Sequence, residues 1–360
     1  MINNSTMKIL ITGIHGFVGT NLVEALKKEH TIYGLDIINP SKDGVARTFS
    51  WEDIDGVHGA GLMVNGSPLE IDAIIHLAGK AHDTKNQSAA DVYFKVNRDL
   101  TIKIFDWYLA HPSIKKFVFF STAKAAADRV DGILTEDVVP SPVGPYGESK
   151  IAAEKYILEK FKEFNSSTVQ DNSQISTQNS QLSSDATDSK PSTLNSTLSA
   201  KQVYILRPCM IHGPGNKGNL NLLYGVVSKG IPWPLGAFEN RRTFTSIENI
   251  CYAVNGVLTK DVPSGIYNMG DDEALSTNEL IEEICKSLGK KTHIWKLPKG
   301  LMNGVAKIGD ILHLPLNSER LQKLTENYVS SNAKIKKALG IEKMPVRAKD
   351  GLAKTLKSFQ

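Results

Sequence analysis

Cysteine is scarce in this chain: Cys209, Cys251 and Cys285 are the only three in 360 residues. They stand far apart, without the close spacing of a zinc site and without an even count for pairing. That excludes a disulfide scaffold, gives no metal site, and fits a reducing compartment. No apolar run approaches the roughly 18 residues that a membrane span requires, and the opening Met1-Ile-Asn-Asn-Ser-Thr lacks the basic and apolar blocks of a signal peptide. The expected location is the cytoplasm, with no membrane partner. Blocks of lysine and arginine are missing too: 42 cationic residues against 38 acidic ones leave a net charge of +4. That charge is too diffuse for a nucleic-acid surface but compatible with a pocket for a phosphorylated substrate. What remains, 41% hydrophobic and 22% charged residues, is the composition of a soluble globular protein. The length suffices for two domains or for one large domain with a second lobe.

The most informative stretch runs from Met7 to Leu26. Ile9, Leu10 and Ile11 read as a short strand buried on both faces. Gly13, Gly16 and Gly19 follow at a spacing of three, and the pattern then becomes helical. Such a turn needs glycine where the backbone bends, where it nears a ligand, and where helix packs on strand; the free N–H groups at the helix start favour a pyrophosphate. Thr31 to Asp36 reads as a second strand ending in a carboxylate about 20 residues further on, where an acid bonds adenosine ribose hydroxyls. No arginine or lysine follows directly to neutralise a 2′-phosphate, so Asp36 argues for NAD over NADP. An aspartate that merely opens the loop from Asp36 to Pro40 would look the same.

Further along, Asp72 to Gly79 is another buried-strand pattern ending in small residues. Residues 88–110 have helical spacing, with Val92, Val96, Leu100, Ile104 and Trp107 on one side, and Lys115 to Thr122 is a strand that delivers two hydroxyls at its end. Strands alternating with helices imply a parallel sheet whose ligands sit at the carboxyl ends of the strands. After the rigid loop Pro140 to Pro145, Tyr146 and Lys150 lie four apart at the head of a helix and share a face. Alone the pair is an ordinary surface contact; after this βαβ series and Ser121-Thr122 it is a candidate catalytic pair.

Together, Gly13-x-x-Gly16-x-x-Gly19, Asp36, His76-Leu-Ala-Gly79, Asn97, Ser121-Thr122 and Tyr146-x-x-x-Lys150 resemble the extended short-chain dehydrogenase/reductase family, within its NAD-dependent nucleotide-sugar epimerases, dehydratases and 4-keto reductases. The resemblance implies an α/β fold, a Rossmann doubly wound parallel sheet with a smaller C-terminal α/β substrate-binding lobe. The expected division is an NAD-binding domain over 7–207 and the lobe over 208–360, with 243–260 returning to the first domain. It implies cofactor contacts at Gly13, His15, Gly16, Phe17, Gly19, Asp36, Leu77, Ala78, Gly79, Asn97, Tyr146 and Lys150. Tyr146 would be the proton acceptor, Lys150 the cation beside it and the holder of the nicotinamide ribose, and Thr122 the hydroxyl at the reacting oxygen, with Ser121 as runner-up. Substrate contacts fall on Lys124, Asn219, Leu220, Arg242 and, more weakly, Arg320. Arg242 also reads as a surface salt bridge.

Residues 165–199, dominated by Ser, Thr, Asn and Gln without apolar periodicity, read as a disordered surface insertion. In the second half, 202–208 reads as a strand, 219–229 as a helix, and Ser246 as the N-cap of a further helix. Helical patterns at 276–289, 299–312 and 331–358 close the chain. Two reactions share the expected machinery: a 4-epimerase of a UDP-hexose or UDP-N-acetylhexosamine, and a 4-keto reductase of the quinovosamine type. Ala126-Ala127 replaces the Tyr-Gly pair common in epimerases, and Ser-Thr-Ala-Lys124 resembles the reductase branch, while the family at large favours the epimerase. A 4,6-dehydratase would need an acidic pair after Thr122, where Ala123-Lys124 stands instead. From another class, a non-catalytic dinucleotide sensor would keep the fold but tends to lose Tyr or Lys. A UDP-linked nucleotide sugar and a second copy of the chain are the expected partners.

Overall fold

The computed structural model describes residues 6–54, 62–80, 89–181, 201–216, 218–312 and 317–360, with the backbone alone over 168–181. Seven strands form the central sheet: β1 (Lys8–Thr12), β2 (Thr31–Leu35), β3 (Val45–Phe49), β4 (Ala73–His76), β5 (Lys116–Phe120), β6 (Gln202–Pro208) and β7 (Gly265–Met269). Their order is β7-β6-β5-β4-β1-β2-β3, and every pairing is parallel. The order reverses at β1, which pairs with β2 on one side and β4 on the other, so the crevice of this Rossmann fold opens beyond Thr12 and His76.

Alternation along β1 explains its unbroken apolar run. Ile9 and Ile11 enter one core with Leu22 and Val23 of α1 (Phe17–Leu26), while Leu10 enters another with Ile104 and Phe105 of α2 (Leu100–Ala110) and Ala153 and Ile157 of α3 (Pro145–Gln181). A fourth helix, α4 (Asn219–Ser228), packs in a core of the C-terminal half with Leu275, Leu280 and Leu352. By contrast, α5 (Ile247–Thr259) places Ile250, Val254 and Val257 in the first core, against α1. Ser246 occupies its N-cap position, but its N–H and hydroxyl donate to buried Asp271 at 2.9 and 2.7 Å.

Three elements differ from the sequence reading. The helix expected over 88–110 contains a π-helical turn, Lys95–Asp99, between Ala90–Phe94 and α2. That turn resets the helix face, so Tyr93, Asn97 and Thr101 are buried while Val92 is 38% exposed. α3 continues to Gln181, through the first part of the stretch expected to be disordered, because extending a formed helix fixes one residue per new hydrogen bond whereas starting one does not; residues 182–200 lie outside the described ones. The tail pattern 331–358 is two helices, Ala333–Leu339 and Ala348–Lys357, because Gly340 terminates the first in the left-handed conformation, φ 69°.

Candidate functional site

The glycine turn is built as its spacing predicts. Gly13 has φ +68°, and a Cβ there would lie 2.9 Å from the Ala78 nitrogen. Gly16 donates its N–H to the Gly13 carbonyl at 3.0 Å. A Cβ at Gly19 would meet the carbonyl oxygens of Gly13 and Ile14 at 2.7 Å, so only glycine lets α1 sit this close to the turn. Phe17 packs its ring beside Gly213 and Gly215. Asp36, just past β2, accepts the His15 N–H at 3.1 Å and the Ile37 N–H at 2.8 Å, which ties the second strand's carboxylate to the glycine turn. Ile37 and Ile38 follow it, 85% and 55% exposed, with no cation between.

Across the switch point, Thr12 Oγ1 bonds His76 Nδ1 at 2.7 Å and accepts the N–H groups of Leu77 and Ala78 at 3.2 and 3.0 Å. The other His76 nitrogen meets Thr101 Oγ1 at 2.9 Å. Full burial, with a smaller contribution from the Lys150 charge, pushes the His76 pKa well below its ordinary value, so this ring is neutral and orders the backbone after β4. That backbone is Gly79, where a Cβ would stand 2.9 Å from Asn97 Oδ1 and 3.1 Å from Lys150 Nζ. Asn97 accepts the Lys80 N–H at 2.8 Å and donates to Ser149 Oγ at 3.0 Å, which joins the π-turn to the head of α3.

Lys150 is 5% exposed and donates to the Phe120 carbonyl at 2.9 Å. Burial lowers its pKa from 10.5 to about 8, with Glu154 partly opposing that shift. Tyr146, one turn earlier, hydrogen-bonds Thr122; burial raises its pKa while that bond lowers it. The Tyr93 ring lies 6.3 Å from the Tyr146 ring at 66°. Thr122 also caps the short helix Ala123–Ala126. Gly13, Asp36, Gly79, Asn97, Thr122, Tyr146 and Lys150 therefore converge beyond the carboxyl ends of β1, β2, β4 and β5, a constellation able to cradle a dinucleotide beside a phenol, a hydroxyl and an ammonium.

Ser121 is not part of it. Its hydroxyl donates to Glu154, which is fully buried and holds Arg207 through Nε contacts of 3.0 and 3.1 Å. Sequence reasoning missed this triad; the signals were two charged residues, Arg207 near the end of an otherwise apolar strand and Glu154 one helical turn beyond Lys150. The remaining candidates lie toward the C-terminal half. Lys124 bonds Asp128 at 2.6 Å with its ammonium 5.2 Å from the Tyr328 ring, whose hydroxyl donates to the Ala127 carbonyl. Arg242, on a backbone bridge to Tyr328, donates to the Lys323 carbonyl at 3.0 Å and pairs with Glu326 at 3.5 Å, so its salt-bridge character is realised. Arg320 is exposed in the first turn of the helix Ser318–Thr325. Asn219 is exposed at the start of α4, and Leu220 turns its side chain into the core at 2% exposure, which leaves only its backbone for a ligand.

Residues 9–170, the portion that carries this constellation, match the NAD dependent epimerase/dehydratase family. This part of the chain belongs to that family. Beyond it, the chain is 29% identical over 304 residues to the UDP-glucose 4-epimerase of Vibrio cholerae, spanning 81% of this chain and 78% of that one. It is 24% identical over 301 residues to the N-acetyl-alpha-D-glucosaminyl-diphospho-ditrans,octacis-undecaprenol 4-epimerase of Escherichia coli O157:H7, covering 82% and 77% of the two. Among solved structures, the UDP-glucuronic acid 4-epimerase from Bacillus cereus in complex with NAD superposes with a TM-score of 0.66 at 20% identity over 98% of each chain, which shows the shared Rossmann-like fold. Among the described residues, no group of histidine, cysteine or carboxylate side chains could hold a metal ion, and no helix is long and apolar enough to cross a membrane.

Proposed function

We propose that this protein is an NAD-dependent 4-epimerase of a UDP-linked hexose or N-acetylhexosamine. The observation that carries the reading is the Thr122–Tyr146 hydrogen bond one helical turn from the buried Lys150, whose ammonium lies against Gly79. The similarity to a UDP-glucose 4-epimerase across most of the chain supports the substrate class. The fit of NAD rests on the cradle: Gly13 and Gly19 leave no room for a Cβ, and Asp36, steadied by the His15 and Ile37 amides, has lone pairs left for ribose hydroxyls.

Bound NAD supplies a hydride acceptor for the sugar C4 and a positive charge beside the phenol. Tyr146 Oη takes the proton of the C4 hydroxyl and returns it once the 4-keto ring has turned over. Thr122 Oγ1 shares a hydrogen bond with that phenol and holds the C4 oxygen within reach. Burial raises the Tyr146 pKa against the lowering effect of the Thr122 hydrogen bond, so its basicity depends on the positive charge that bound NAD would add. Lys150 is anchored on the Phe120 carbonyl, which leaves further N–H donors that would hold the ribose of the cofactor.

The test is incubation with UDP-glucose and UDP-N-acetylglucosamine, with C4 inversion followed by NMR. Inversion of either sugar without net NADH, and its loss by about 10²-fold or more in Tyr146→Phe with NAD binding retained, is the expected result. Consumption of NADH by a UDP-4-keto-6-deoxy sugar, with no inversion, would assign the reductase instead; NAD binding without any turnover would assign a sensor.

A further inference from the structure

The helix α6 (Lys299–Leu312) is apolar on two faces. Met302, Ala306 and Gly309 face the protein, where Met302 and Ala306 pack with Leu235 and Leu321. Leu301, Val305, Ile308 and Leu312, at successive turns of the same helix, form a second stripe that is 54%, 40%, 54% and 63% exposed. Trp295 lies just before the helix, on the segment that pairs with Trp233, and is itself 55% exposed. An aliphatic stripe of this kind with a nearby exposed tryptophan costs free energy in water and needs a cover.

The charges identify that cover. Between residues 290 and 312 the chain carries five lysines and one acid, Asp310. Asp310 is spent on the next helix, where it accepts the Ser318 N–H at 2.9 Å and the Ser318 hydroxyl. Lys296 and Lys307 are exposed, Lys307 on the flank of the stripe. Lysine is depleted in protein–protein interfaces, whereas at a bilayer its long stem lies along the apolar boundary while the ammonium reaches phosphate.

We propose that α6 and Trp295 form a docking surface for an anionic bilayer, with the aliphatic stripe in the acyl boundary and the flanking lysines among the headgroups. The core behind the stripe, Leu235, Met302, Ala306 and Leu321, shares no residue with the two cores that pack the central sheet, so the proposal does not rest on the reading of the active site. It holds the enzyme at the membrane face without spanning it.

Co-sedimentation of the full-length protein with vesicles of phosphatidylethanolamine and phosphatidylglycerol, against pure phosphatidylcholine vesicles, tests this. Binding to the anionic vesicles that falls at raised salt, and that drops at least about tenfold in Ile308→Glu and in the pair Lys296→Glu/Lys307→Glu, is expected. NAD binding in these variants should equal that of the parent, which separates loss of docking from loss of fold. Failure of the parent to sediment with anionic vesicles, binding unchanged by Ile308→Glu, or a dimer that Ile308→Glu dissociates into monomers would each overturn the proposal, the last by assigning the stripe to a second copy of the chain.

Discussion

At the end of β5 two adjacent hydroxyls have opposite environments. Ser121 is held by Glu154 in a buried ionic cluster, and Thr122 faces Tyr146. The sequence placed both at the site because successive residues of an extended chain differ only in the side they face, and which side is settled by a partner 33 residues away. Thr122→Val is expected to lower kcat by about 10²-fold, whereas Ser121→Ala should leave kcat within about threefold and cost about 1–2 kcal/mol of stability by removing a donor from buried Glu154. Steady-state kinetics and urea unfolding of the two variants check this, and equal loss of kcat in both would contradict the assignment. Lys150 illustrates a second residue-scale conflict. Its pKa is about 8 in the folded protein against 10.5 for the free side chain, so between those values the unfolded chain binds more protons and stability rises with pH. Below pH 8 the burial cost is fully present, about 3 kcal/mol by linkage. Lys150→Met should therefore stabilise the protein at pH 7 by about 1–2 kcal/mol, once the orphaned Phe120 carbonyl is allowed for, while abolishing turnover. A destabilised variant at pH 7 would show that the ammonium is better solvated than its burial indicates.

At the scale of elements, the strand–turn–helix unit of β1 and α1 was the most legible part of the chain, because glycine at 13, 16 and 19 between a buried strand and a helix, followed by a second strand that leads into Asp36, answers the needs of a dinucleotide-binding turn. The glycines alone would also suit an ordinary tight turn. The close approach behind the third glycine makes a sharp prediction. Gly19→Ala forces α1 away from the turn, since its methyl would meet two carbonyl oxygens at 2.7 Å. It should weaken NAD binding by about tenfold or more and cost about 1–3 kcal/mol, measured by calorimetric titration and thermal unfolding; unaltered NAD affinity would contradict the role given to this packing. Elements defined by periodicity alone were less legible. The π-turn at Lys95–Asp99 buries Asn97 and Thr101 by shifting the helix register, and a 3.6-residue pattern carries no mark of such an insertion. Gly340 divided the tail, a signal that was present in the sequence but outweighed by the run of helix formers around it.

For the whole molecule, the parallel sheet and the meeting of ligand-directed residues at one edge followed from alternating strand and helix patterns, since parallel crossovers allow few topologies. The C-terminal half was less legible, because its side chains are committed to partners distant in sequence: Arg242 to Lys323 and Glu326, Tyr328 to the Ala127 carbonyl, and Asn249 to Asp271 and Val346. The geometry that could be read and the geometry that could not have the same origin: local spacing fixes turns and helix faces, and only the folded chain fixes which charges pair with one another. A self-contained epimerase keeps one dinucleotide through the catalytic cycle, since the hydride taken from C4 must return to the same sugar. The most direct test is the quantity of NAD released when the purified protein is denatured, determined by mass spectrometry. Close to one NAD per chain, unchanged after dialysis and turnover, is the predicted result; protein that carries no dinucleotide and binds neither NAD nor NADH would contradict this reading from its first glycine onward.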